Sequence, residues 1–228
     1  MIDTHNEYQK KQINTDFIIN EKFDFVHEEK SPKGVSSYLT IQEGCDKFCA
    51  FCVVPFTRGP EYSRSVNNIV EETKSLIDRG TREIILLGQN VNSYNHENSK
   101  FPELLDAVAR VEGIQRIRYT SPHPQDVNQE LLDVMLKHDN ICNYIHLPLQ
   151  SGSNKILKRM NRTYTRERFI KLSNKIRSTL PGVGISTDII VGFPGETKGC
   201  FDQTVAHLMT IPIHYYHVFS YSCLLYTS

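Results

Sequence analysis

Apolar residues in this chain follow two rhythms that alternate. Residues 36–41 (SSYLTI) switch between polar and apolar and are rich in β-branched side chains, which predicts a first strand. Ser65 then caps a helix whose Ile69, Val70, Thr73, Leu76 and Ile77 share one face, with Gly80 as its stop. Glu83-Ile84-Ile85-Leu86-Leu87 is a continuous apolar run, as expected of a strand covered on both faces. Pro102 opens a helix through Leu104, Leu105, Val108 and Val111, closed by Gly113, and a third strand falls near Arg116–Thr120. Asn128 caps a helix carrying Leu131, Leu132, Met135 and Leu136, and Tyr144–Leu149 is the fourth strand. Ser153 starts a short helix, and Thr165 caps a longer one through Phe169, Leu172 and Ile176. Ile185–Val191 is strand five, Thr197 opens a helix through Phe201, Val205 and Leu208, and strand six lies near Tyr215–Phe219.

Strand–helix order of this regularity predicts an α/β fold whose parallel strands are joined by right-handed crossovers, with the helices outside. Six such units fit an open, partial (β/α)6 barrel, and the pattern alone equally fits a doubly wound sheet. Residues 1–36 are polar and broken and read as a linker, although Phe17, Ile18, Ile19, Phe23, Phe25 and Val26 have the makings of one short strand. The folded domain is expected over residues 37–222.

Composition narrows the function classes. With 228 residues, 39% of them hydrophobic, the chain can bury a full α/β core. A formal net charge of zero excludes attachment to nucleic acid by overall charge, while leaving room for a local patch. Such a patch exists between residues 155 and 177. There Lys155, Lys158, Arg159, Arg162, Arg166, Arg168, Lys171, Lys175 and Arg177 face a single acid, Glu167. It reads either as a phosphate-contacting surface or as a solvated helix face. Six irregularly spaced cysteines without a signal peptide point to a reducing, cytoplasmic setting, and no apolar run nears the roughly 20 residues of a membrane helix. Cys142 and Cys200 read as plain small residues.

The distinctive chemistry lies just after strand one, in Gly44-Cys45-Asp46-Lys47-Phe48-Cys49-Ala50-Phe51-Cys52. Three thiols spaced Cys-x-x-x-Cys-x-x-Cys point from one short loop at a common centre. Soft thiolates select zinc, copper(I) or iron–sulfur clusters. A structural zinc site wants four ligands, so a zinc knuckle here requires a distant histidine. In parallel α/β folds, working residues follow the C-terminal ends of strands. That rule selects Gly88-Gln89-Asn90, Ser121-Pro122-His123, Gln150-Ser151-Gly152-Ser153 and Gly192-Phe193-Pro194-Gly195-Glu196.

The cysteine spacing resembles the signature of radical S-adenosylmethionine (SAM) enzymes. Further runs narrow the resemblance: EGCDKFCAFCVVPFTRGPEYSR, LLGQNVNSY, YTSPHP, HLPLQSGSNKILKRMNRTYT and STDIIVGFPGET are similar to the methylthiotransferases within that superfamily. The VVPFTRG and GQNVN runs most resemble the bacterial enzymes that act on tRNA carrying isopentenyl-adenosine beside the anticodon. Relatives acting on another tRNA nucleoside, or on a ribosomal protein, are the alternatives, as is a non-catalytic metal-binding module that recognises RNA.

The resemblance implies the open barrel, a 4Fe–4S cluster on Cys45, Cys49 and Cys52, and SAM on the iron that has no protein ligand. It further implies a 5′-deoxyadenosyl radical that removes the C2 hydrogen of the modified adenine, a second SAM as methyl source, and a reductase or flavodoxin-type electron donor. By position, the SAM contacts it implies are Gln89, Asn90, Ser121, His123, Gln150, Ser151, Arg162 and Asp188. Arg162 would pair with the methionyl carboxylate and Asp188 with ribose hydroxyls. Phe48 and Phe51 would shield the cluster or stack on adenine. The family's second cluster needs three more cysteines, none of which precedes Cys45, so it is expected only in an N-terminal domain outside this sequence. A C-terminal RNA-gripping β-domain is likewise expected outside it, and residues 223–228 (CLLYTS) depart from the family pattern.

Overall fold

The computed structural model describes residues 34–222. The short strand considered near Phe17–Val26, most of the expected linker, and the tail with Cys223 lie outside these residues. In chain order the elements are β1 (Ser36–Thr40), β2 (Gln42–Glu43), α1 (Val54–Arg58), β3 (Tyr62–Ser63), α2 (Val66–Asp78) and β4 (Glu83–Leu87). Next come β5 (Asn95–His96), β6 (Ser99–Lys100), α3 (Phe101–Ala109), β7 (Arg116–Tyr119), α4 (Gln129–Lys137) and β8 (Tyr144–His146). The rest are α5 (Asn154–Arg159), α6 (Arg166–Thr179), β9 (Gly184–Val191), α7 (Lys198–Thr210) and β10 (Tyr215–Ser220).

The long strands pair in parallel, β1-β4-β7 in one sheet and β8-β9-β10 in the other. Among the described residues a single parallel bridge, Ile117 with Ile141, joins the two three-stranded halves. There Ile117 N donates to Asn140 O (2.8 Å) and Cys142 N donates to Ile117 O (2.9 Å). The six strands thus follow one another in chain order without the reversal that defines a doubly wound sheet. The open, partial barrel is the architecture formed. One core joins strand residues such as Leu39, Ile84, Ile117, Ile145 and Ile185 to the inner faces of α2, α3, α4 and α6.

Helix starts follow the predicted caps. Ser65 Oγ accepts from Asn68 N, Asn128 Oδ1 from Leu131 N, Thr165 Oγ1 from Arg168 N, and Thr197 Oγ1 from Cys200 N. The fourth strand is shorter than predicted: Leu147 N still donates to Ser186 O (2.7 Å), but the Thr187 hydroxyl then accepts from Leu149 N (2.9 Å) and donates to Leu147 O (2.7 Å) in place of the backbone ladder. Pairing with β9 resumes irregularly at Gln150, which bridges Ile189. The α3 helix stops at Ala109, before Gly113.

Two expected core faces are corrected. Leu136 on α4 is exposed, and its helix buries Leu131, Leu132 and Met135 alone. On α7, Phe201 and Val205 are exposed, and the buried residues are Cys200, Thr204 and His207. The Gly152 loop dictates that rotation. A Cβ on Gly152 would lie 2.7 Å from Thr204 Cα and 2.9 Å from His207 Cβ, so the helix backbone seats on the glycine with its small polar face.

Candidate functional site: a thiol loop over a polar cavity

The cysteine loop leaves β2 at a turn that only glycine fits. Gly44 has φ of 80°, and a Cβ there would lie 2.0 Å from Pro60 O. Three parts of the barrel then fasten the loop. From the end of β4, Gln89 Oε1 accepts from Gly44 N (2.7 Å). After β7, Asp126 pairs with Lys47 Nζ at 2.8 Å. From the end of α5, Met160 O accepts from Ala50 N (3.0 Å), and Asn161 Nδ2 donates to Phe48 O (2.9 Å). Asn90 ties two of these regions together, its Nδ2 donating to Glu61 Oε1 and Asp126 Oδ2, both at 3.2 Å.

A cavity of about 190 Å³ lies beneath the loop. Cys45, Cys49, Cys52, Gln89, Asn90, Ser121, His123, Arg162 and Asp188 all line it. Of the residues selected from sequence, Gln150 and Ser151 do not. Ser151 is fully buried, its Oγ accepting from Ser153 N (3.2 Å) beside Thr204. Gln150 is buried too, its Oε1 without a partner among the described residues. Gln89 reaches the cavity with its carbonyl already committed to Gly44. Phe48 is exposed, packing edge-on to Phe56, whereas Phe51 lines the cavity.

Sequence reasoning missed Lys47 and His146, which also line the cavity. Both stand inside runs already singled out, Lys47 between two of the cysteines and His146 at the head of HLPLQSG. It also missed Asn92, which clamps the His123 backbone: Asn92 Oδ1 accepts from His123 N (2.7 Å) and Asn92 Nδ2 donates to His123 O (3.0 Å). Four non-glycine residues of these runs have left-handed backbones, Phe48 (φ 48°), Ser121 (φ 55°), Gln150 (φ 71°) and Asn161 (φ 58°). Strain of this kind gathers at functional sites.

The electrostatics favour a cationic guest among the thiols. Burial pushes the Cys45 thiol above its ordinary value, and Glu61 and the two other cysteines add to the rise. Burial raises Cys49 as well, with the Arg162 guanidinium opposing it. Three crowded thiolates need a compensating positive centre, which a metal or iron–sulfur cluster supplies. His123 is the reverse case. Burial, reinforced by Arg162 and Lys47, drives its pKa down to about 3, so the ring is neutral. Its Nδ1 accepts from Gln125 N (3.3 Å), which places the proton on Nε2.

Two buried polar atoms of the cavity residues have no partner among the described residues, Arg162 Nε and Asn90 Oδ1. One is a donor and the other an acceptor, the pair that an α-carboxylate and an α-ammonium group require. The donor set and these two atoms fit a cluster with an amino-acid-bearing ligand beside it.

The family profile described as Radical SAM superfamily matches residues 39–208. The chain belongs to the radical SAM superfamily. Among its relatives, tRNA-2-methylthio-N(6)-dimethylallyladenosine synthase of Anaplasma phagocytophilum is 45% identical over 219 residues, covering 93% of this chain and 49% of the relative. The synthase of the same name from Bdellovibrio bacteriovorus is 51% identical over 191 residues, covering 83% and 42%. The chain thus spans about half the length of the curated relatives it matches. Solved radical SAM structures share the fold. A radical SAM methyltransferase of Kitasatospora setae, with cobalamin and a [4Fe-4S] cluster bound, superposes with a TM-score of 0.67 at 18% identity, covering 81% of this chain and 36% of that one. Coproporphyrinogen III oxidase of Escherichia coli superposes with a TM-score of 0.62 at 18% identity, covering 93% and 52%.

Proposed function

We propose that this chain is the radical SAM core of a tRNA methylthiotransferase, which adds a methylthio group to carbon 2 of isopentenyl-adenosine in the anticodon loop. The observation that carries the reading is the convergence of Cys45, Cys49 and Cys52 with Asn90 and Arg162 on one cavity, in a chain 45% identical to a synthase of that name. Residues 37–222 form the domain that does this work.

Cys45, Cys49 and Cys52 hold a 4Fe–4S cluster, which when bound supplies the electron that splits the sulfonium of SAM. Arg162 takes the methionyl carboxylate in a charge-assisted bond and Asn90 Oδ1 accepts from the amino group. Asp188 and Ser121 face the ribose. His123, neutral, offers its Nε2–H without competing for the positive charge of the sulfonium. Phe51 covers the cluster side and keeps water from it. The exposed cations of α5 and α6, among them Lys155, Lys158, Arg168, Lys171 and Lys175, contact tRNA phosphates. A reductase or flavodoxin-type donor in the cytoplasm supplies the electrons.

Protein reconstituted without oxygen is expected to hold about four irons with matching sulfide and to release 5′-deoxyadenosine on reduction. A colourless, one-zinc protein with no such product overturns the chemistry. Nucleoside analysis of tRNA from a strain lacking the enzyme, complemented by the full-length gene, tests the target. Return of the methylthio group on isopentenyl-adenosine supports the assignment. Its return only on another nucleoside, or on a ribosomal protein, refutes it.

A further inference from the structure

A second donor set lies beside the cavity, with His146 and Asp188 in its lining and His217 behind them. His146 ends β8, Asp188 lies in β9 and His217 in β10, and one ligand atom from each lies within 4.8 Å of the other two. Strand register brings them together. Asp188 is paired with His217, and His146 with Ser186, two residues from Asp188 and therefore on the same face of β9.

His146 Nε2 hydrogen-bonds Asp188 Oδ2 at 3.0 Å, while Nδ1 of the same ring lies 2.7 Å from Ser186 Oγ. Ser186 Oγ also bonds the Tyr144 hydroxyl. Holding the second ring nitrogen through a hydroxyl or carboxylate is how proteins aim a metal-binding imidazole. A plain His–Asp pair accounts for His146 but not for His217. The His217 ring packs against His146 (centroids 5.7 Å apart) and Tyr215 (4.6 Å), and makes no hydrogen bond among the described residues.

We propose that His146, Asp188 and His217 form a divalent transition-metal site, of the zinc or iron(II) class, separate from the cysteine loop. Two imidazoles and one carboxylate are the donors such ions select. Metal–ligand bonds of about 2.1 Å set tetrahedral donors roughly 3.4 Å apart, so small ring rotations convert the observed triangle into a ligand set. Three protein ligands leave a position open, and His146 and Asp188 both line the cavity, so that position is reached from it. A carboxylate has two oxygens, so Asp188 can ligate through one and still accept from a ribose hydroxyl through the other. The proposal does not depend on which macromolecule is the substrate.

The test counts zinc on protein already carrying its cluster. Reconstituted protein is dialysed anaerobically against zinc chloride, and zinc, iron and sulfide are measured per chain. One zinc is expected with iron unchanged. His217→Ala and Asp188→Asn are each expected to weaken zinc binding at least tenfold, with circular dichroism confirming that both fold; His217→Gln replaces the alanine variant if it does not. A variant with Cys45, Cys49 and Cys52 all changed to alanine is expected to keep the zinc. No zinc on the holoprotein, zinc indifferent to both His217 and Asp188, or zinc lost only with the cysteines overturns the proposal.

Discussion

The guanidinium carbon of Arg162 lies 5.4 Å from the centre of the Phe51 ring. A residue beyond α5 thereby touches the loop that leaves β2. Tyr164 lies 5.6 Å from the same guanidinium, so two rings contact the group. Such stacking suits a planar guanidinium and not an ammonium. Arg162→Ala is expected to weaken SAM binding to the reconstituted protein by about ten- to a hundredfold, the range of a charge-assisted bond. Arg162→Lys should recover little of it, because lysine keeps the charge but neither the plane nor the fork. Full recovery in equilibrium binding would count against the carboxylate role.

Lys47 is predicted to act on loop retention more than on folding. Its pairing with Asp126 ties the thiol loop to the segment after β7, and both side chains are about three-quarters covered. Lys47→Ala should speed loss of cluster iron to a chelator severalfold while shifting the thermal midpoint by no more than a few degrees, since partly exposed ion pairs contribute about 1 kcal/mol or less. Equal effects on both readouts would show that Lys47 supports the fold as a whole.

His123 predicts a particular acid sensitivity. Its folded pKa of about 3 lies below the ordinary value of 6.5, so the unfolded chain takes up the proton first as pH falls. The stability it contributes is present above about pH 6.5 and is lost progressively towards pH 3. Between pH 8 and pH 5 the loss amounts to about 2 kcal/mol. Denaturant unfolding at those two pH values should show it, and His123→Gln should remove that part of the difference. An unchanged pH dependence in the variant would place the sensitivity elsewhere.

Gly152→Ala probes the seat of α7. The added methyl meets backbone and Cβ atoms of Thr204 and His207, which cannot swing aside. A cost of about 1–3 kcal/mol is expected from overpacking, read as a lowered melting temperature, whereas Gly182→Ala has open space around it. Gly182 has φ of 73°, so that control pays only backbone strain.

The parts of the molecule that were legible in the sequence are those decided locally. Ser65, Asn128, Thr165 and Thr197 cap their helices through bonds to residues three positions on, and the spacing of Cys45, Cys49 and Cys52 is itself local. What escaped was decided across the chain. The apolar periodicity of α7 points to Phe201 and Val205, but a loop about fifty residues earlier in sequence turns that helix onto Thr204 and His207. The fastening of Gly44 by Gln89 and the shortening of β8 by the Thr187 hydroxyl likewise depend on partners that no window around the residue contains.

The seam between the two half-sheets has a mechanical consequence. Cys45, Asn90 and His123 belong to the half built on β1, β4 and β7, whereas Arg162 and Asp188 belong to the half built on β8, β9 and β10. Among the described residues one bridge, Ile117 with Ile141, stitches the strands across that line. A molecule lodged in the cavity therefore bears on both leaves at once and adds contacts between them that the strands themselves do not make.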